Sequence, residues 1–207
     1  MGTGCENIYM LLREACHLRD QGYYEEAANE FQRCLRLERD PVRKAAILRD
    51  LGHCFLRLGW YEDAARIYAA CLKICPTDND ARFFLASAYA LLNWTDEAIT
   101  ELKTILRSDP TDVLARHDLG LCYRDKGWLR ESLEEMRKAD EYVTIYGNPE
   151  EKEIIKSSLR HIQEEVESGD EDGAKEALLL LILLAIVKKR AKLKIRRQSR
   201  DRKQSRK

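Results

Sequence analysis

The three tryptophans of this 207-residue chain stand at 60, 94 and 128, two steps of 34 residues. Each sits near the start of a similar heptapeptide: "GWYEDAA" at 59–65, "NWTDEAI" at 93–99 and "GWLRESL" at 127–133. A looser copy, "GYYEEAA" at 22–28, puts Tyr23 in the tryptophan's place. A catalytic constellation has no physical reason to recur at a fixed interval. A structural unit that stacks on copies of itself does, and units this short bury a core only against their neighbours. The composition agrees with helical units: 35% of residues are charged, and only 4 are Pro and 10 Gly.

Alignment on the small residue of each unit's first helix (Ala15, Gly52, Ala86 and Gly120) gives steps of 37, 34 and 34. The residue before it is Glu14, Leu51, Leu85 or Leu119, and three residues after it stands Leu18, Phe55, Tyr89 or Tyr123. Twelve residues after it comes Ala27, Ala64, Ala98 or Ser132. Phe31, Tyr68, Leu102 and Met136 follow, then Cys34, Cys71, Ile105 and Ala139. Pro76 and Pro110 close the second and third units, and Pro41 is read as closing the first after a three-residue insertion. This order of small residue, aromatic, Ala, aromatic, Ala and Pro resembles the tetratricopeptide repeat family, over residues 8–146. The resemblance implies an all-α, right-handed superhelical solenoid with four repeats in residues 1–146, at about 8–41, 45–78, 79–112 and 113–146. It also implies a non-enzymatic scaffold that binds other proteins. Glu14, Ser132 and Asp140 depart from the pattern in the end units, which have a single neighbour each.

Seven cysteines form no paired framework. Cys34, Cys54, Cys71 and Cys122 fall where small core residues belong and are expected to pack as hydrophobes. Cys71 and Cys75 lack the histidine support of a metal site. The tryptophans are expected in the tight turn inside each repeat, each ring lying across the next repeat's turn. Alternatively Tyr23, Trp60, Trp94 and Trp128 form an aromatic ridge for a partner.

Beyond the repeats, Asn148-Pro149 breaks the chain and residues 147–168 are read as a capping helix, with Ile154, Ile155, Leu159, Ile162 and Val166 on one face. An acidic linker at 169–173 precedes an apolar helix at 174–187 and a basic, disordered tail at 188–207. Residues 177–187 are all apolar. As a helix they reach ~16 Å against ~30 Å of hydrocarbon, too short to span a bilayer. Three readings stay open for 174–187: pairing with the capping helix, self-association into a homo-oligomer, or shallow insertion into an anionic membrane surface. The tail holds twelve Lys or Arg against Asp201. With 36 bases and 36 acids in the whole chain, the tail carries +11 and the preceding residues −11. No aromatic residue interleaves those cations, so only non-specific nucleic-acid contact is expected of it. Without a basic segment and apolar core at the N-terminus, the reading is intracellular: cytoplasmic, with nuclear and peripheral-membrane alternatives from the tail.

The family resemblance implies a partner groove lined by the first helix of each repeat. Position by position it points to Leu12, Cys16 and Arg19; Arg49, His53 and Leu56; Phe83, Ser87 and Ala90; His117, Leu121 and Arg124. Arg49, His53 and Arg57 recur every fourth residue and share a helix face. With Phe83 and His117 they are read as a groove for an acidic segment with an apolar anchor. The Asn residues of a chaperone-tail carboxylate clamp are absent from the matching positions. No phosphate loop, metal-spaced set or nucleophile motif is present, so neither enzymatic activity nor a cofactor is expected. The alternative function is a membrane-surface or self-assembly protein acting through the apolar helix and basic tail.

Overall fold

The computed structural model describes residues 8–169. Eight helices pair in order: α1 (Ile8–Asp20) with α2 (Tyr24–Leu37), α3 (Pro41–Arg57) with α4 (Tyr61–Ile74), α5 (Asn79–Leu91) with α6 (Thr95–Ser108), and α7 (Val113–Asp125) with α8 (Leu129–Tyr146). A ninth, α9, covers 149–169, and no strand occurs among the described residues. Each helix from α1 to α8 packs on the next along the chain. That is the all-α repeat solenoid expected from the period. The expected apolar helix at 174–187, the basic tail at 188–207 and all but the first residue of the acidic linker lie outside the described residues. No described helix is long and apolar enough to cross a membrane.

Recurrent chemistry starts and stops these helices. Asp40, Asp78 and Asp112 each accept a hydrogen bond from the backbone N–H three residues on, capping α3, α5 and α7. Inside every repeat the turn reaches the left-handed region at Gly22, Gly59, Asn93 or Gly127, with φ between 59° and 87°. The next residue, Tyr23, Trp60, Trp94 or Trp128, donates its backbone N–H to the carbonyl five residues back. This is the Schellman ending of a helix, whose final residue commonly makes an apolar contact with the residue it bonds. Here the contact is aromatic: Trp60 on Phe55 at 5.5 Å, Trp94 on Tyr89 and Trp128 on Tyr123 at 5.7 Å. The period of the tryptophans is thus the period of a turn. Against the expectation, these aromatic partners lie within the tryptophan's own repeat rather than in the next repeat's turn.

The three-residue insertion also reads differently in space. Pro41 is the first residue of α3, which runs 17 residues where α1, α5 and α7 run 13. The preceding loop is Glu38–Asp40, one residue shorter than the loops 75–78 and 109–112. The extra length is therefore a helical turn in front of α3, where Pro at the first position is favoured because its missing N–H is not needed.

Small residues bring each helix pair together. A Cβ on Gly52 would stand 2.8 Å from the Tyr68 ring, and one on Gly120 would stand 3.0 Å from the Met136 methyl. Tyr68 is fully buried and stacks on Phe84 of the next repeat at 5.8 Å. Cys34, Cys54, Cys71 and Cys122 are buried as expected, and burial pushes their thiols up, to about 11 for the first three and about 12 for Cys122. The departure at Ser132 has a local reason. Its buried hydroxyl donates to the Gly120 carbonyl at 2.7 Å.

Asn148 and Glu151 form a capping box for α9: each side chain accepts from the other's backbone N–H, at 2.8 and 3.2 Å. Ile155 is buried with Ala139 and Val143, with Val113 packed alongside. Ile162 is buried too, whereas Ile154, expected on the same face, is 58% exposed.

Candidate functional site

The first helices carry the expected groove positions. Arg19 donates to Asp50 of the next repeat at 2.7 Å and to its neighbour Asp20. Arg49 donates to Asp78, the cap of α5, at 3.0 Å and lies 3.6 Å from Asp80. His117 lies 3.0 Å from both Asp118 and Ser158 of α9. Each of these three expected partner-binding groups thus contacts the next element of the solenoid. Lys126 does the same from a turn, contacting Asp96 of the preceding repeat at 2.9 Å.

His53, the middle basic position of the expected stripe, is half-buried. It sits edge-on between Tyr24 and Phe84, with ring centroids at 6.4 and 5.9 Å. Burial, with Arg19 and Arg57 nearby, pulls the imidazole below its ordinary 6.5. Burial likewise raises the Asp50 carboxyl, against the opposing pull of Arg19 and Arg49. Arg57 is exposed, and its guanidinium lies 5.0 Å from the Tyr24 ring centre. Among the described residues no carboxylate lies within ion-pair distance of it. Arg124 donates to its neighbour Asp125 at 3.2 Å. Phe83 is half-buried against the core of the third and fourth repeats.

Between α5 and α7 the first-helix face opens into a cleft of about 400 Å3. Ala86, Ala90, Leu91 and Leu121 give it apolar walls, and Ser87, Asp118, Arg124 and Asp125 supply the polar groups. Leu91 is 53% exposed. The cleft exists because Ala90 is small. Four residues after the aligned small residue, repeat one has Arg19, repeat two Leu56 and repeat three Ala90. Arg19 reaches across to Asp50, and Leu56 and Phe84 both pack on the core of the first repeats. Ala90 reaches nothing comparable at Asp118. Sequence reading named the positions but not the opening.

Tyr23, Trp60, Trp94 and Trp128, the positions expected of an aromatic ridge, are between 44% and 55% exposed. The second helices begin here without a side-chain cap, and acidic first turns (Glu25 and Glu26, Glu62 and Asp63, Asp96 and Glu97) face the exposed N–H groups instead.

Sequence reading missed a recurrent pair. Arg82 donates to Glu101 and to the Pro76 carbonyl, and 34 residues on Arg116 donates to Glu135 and the Pro110 carbonyl. The same positions in repeat two are Leu48 and Ile67, both packed on the core. The repeated Arg–Glu spacing of 19 was the available signal.

Comparison with known proteins accords with this geometry. Two tetratricopeptide repeat models match the chain, over residues 12–79 and 56–119. Comparison with curated proteins found no match. Among solved structures, MamA 41-end from Desulfovibrio magneticus RS-1 is 20% identical with a TM-score of 0.60, covering 80% of this chain and 98% of that one. A tetratricopeptide repeat protein from Parabacteroides merdae is 19% identical with a TM-score of 0.65, covering 76% and 60%. The Sgt2 TPR domain from Aspergillus fumigatus is 20% identical with a TM-score of 0.56, covering 62% and 82%. At these identities the structural likeness concerns the fold. Tetratricopeptide repeats generally mediate protein–protein interaction, and their family is typically a non-enzymatic scaffold. On its two repeat-model matches and the helix pairs they coincide with, this chain belongs to the tetratricopeptide repeat family.

Proposed function

We propose that this protein is a scaffold that holds a segment of another protein against its first helices, with an apolar side chain of that segment seated between α5 and α7. The observation that carries this reading is the cleft walled by Ala86, Ala90, Leu91 and Leu121. Apolar burial in such a recess supplies affinity, and the flanking charges supply selection and steering. Selection for an acidic segment has narrower support than the sequence pattern suggested, because Arg19 and Arg49 are already held by Asp50 and Asp78. Arg57 is the groove cation best disposed to meet an acidic residue of the partner. A fold of this kind hosts many unrelated processes, so the reading rests on the site.

The test is capture of partners from cells by the full chain and by a Leu91→Asp variant. Leu91 is exposed, so the variant keeps its helicity by circular dichroism. Loss of a specific partner supports the cleft as the docking point. An unchanged set of partners overturns it.

A further inference from the structure

The four repeats repeat their backbone but not their groove contacts, and the contrast identifies what the cleft lacks. Asp50 and Asp118 occupy the same place, two residues before Gly52 and Gly120. Arg19 and Ala90 also correspond, four residues after Ala15 and Ala86. At the first step the guanidinium of Arg19 fills the space between neighbouring first helices and meets the Asp50 carboxylate at 2.7 Å. At the last step the carboxylate is kept and the guanidinium is not. Asp118 has a 33% exposed side chain, lines the cleft and is approached by His117 Nδ1 at 3.0 Å. Asp125 adds a second carboxylate to the lining, shared with Arg124.

We infer that the cleft takes an arginine or lysine side chain from the bound segment, beside that segment's apolar anchor, with Asp118 as its carboxylate partner. This rests on the groove reading above and names the chemistry of its occupant. The partner's cation takes the place that Arg19 takes in the first step, and its stem lies along Ala90 and Leu121 as long cationic side chains lie along apolar surface. The bound segment then carries a base next to a Leu-like residue. An acidic side chain at this point meets Asp118 and Asp125 and is rejected.

The experiment pans a displayed library of random peptides on the full chain and measures the selected peptides against three variants. Leu91→Asp tests the groove itself. Asp118→Asn removes the carboxylate charge while keeping its size. Ala90→Arg supplies the missing guanidinium in cis, as Arg19 does for Asp50. The inference expects selected peptides to pair Arg or Lys with a neighbouring apolar residue. It expects Asp118→Asn to weaken these peptides about fivefold, the upper range for a partly exposed ion pair. Their norleucine-for-Arg versions should be unaffected by Asp118→Asn, and Ala90→Arg should abolish binding while leaving thermal stability unchanged. Peptides that lose affinity in Leu91→Asp but show no basic preference, or whose basic residue is indifferent to Asp118→Asn, overturn this inference and leave the groove reading standing. Peptides that bind Leu91→Asp as well as they bind the wild type overturn both.

Discussion

The first and last steps between neighbouring first helices are built on the same frame and end differently. Between α1 and α3 the space is closed by Arg19 on Asp50. Between α5 and α7 the matching carboxylate, Asp118, faces Ala90 across an open cleft. The difference teaches that architecture and function are written at different positions of the repeat. What recurs every 34 residues holds helices together, and what fails to recur distinguishes one stretch of groove from another.

The comparison presumes that both steps stand on equivalent frames, and the frame is where the largest effects are expected. Gly52→Ala forces a Cβ into the rigid Tyr68 ring and should cost about 2 kcal/mol net in denaturant unfolding. Gly120→Ala meets chiefly the flexible Met136 side chain and should cost under ~1 kcal/mol. Equal costs would mean that the Tyr68 ring and the Met136 side chain yield alike to the added Cβ.

Next in size is the ion pair behind the open step. Arg116 and Glu135 are largely buried, so Arg116→Leu leaves the Glu135 carboxylate to Lys138 alone, at 3.0 Å, and should cost about 1.5 kcal/mol. The double change Arg116→Leu with Glu135→Ile copies Leu48 and Ile67 of repeat two and should recover most of that loss. A double variant no more stable than the single one would refute the equivalence of the repeats at this place.

Opening the closed step is expected to be cheaper. Arg19→Ala removes a partly exposed pair and should cost about 1 kcal/mol or less. It should also create a second recess, visible as a new methyl shift for Leu12 or Leu56 on addition of a small apolar probe. The smallest effect belongs to pH. His53 has its imidazole pulled below 6.5 by burial first, with Arg19 and Arg57 adding to it and Asp50 opposing. The unfolded chain therefore takes the proton first, and folding stability falls as pH drops below about 6.5. His53→Gln should flatten that slope. A slope that persists in the variant would assign it elsewhere.

Much of this fold is legible in the sequence because its determinants recur. The left-handed turn residues, the aromatic after each of them, the aspartate caps and the small residues at 15, 52, 86 and 120 all repeat, so periodicity reports them. The groove was legible only as a set of positions. Whether Arg49 is free or held by Asp78 depends on reach across 29 residues between two repeats, and no periodic signal marks it. The ring neighbours of His53, Tyr24 and Phe84, lie far along the chain and left no periodic mark. Phe84 itself stands where the other repeats have Arg13, Asp50 and Asp118, so alignment hid its place in the core. The cleft was hidden for the opposite reason: Ala90 is a small residue in a repeat full of small residues, and its meaning appears only beside Arg19.

The most direct test of the open step is photo-crosslinking from one repeat position in three repeats. Asp20, Arg57 and Leu91 each stand five residues after the aligned small residue. A photoreactive phenylalanine analogue is placed at each in turn in the full chain, and irradiation is carried out in cells. Capture of a protein partner from position 91, and not from 20, is the predicted result. Equal capture from both, or capture from 20 alone, would contradict the assignment of the cleft as the docking point.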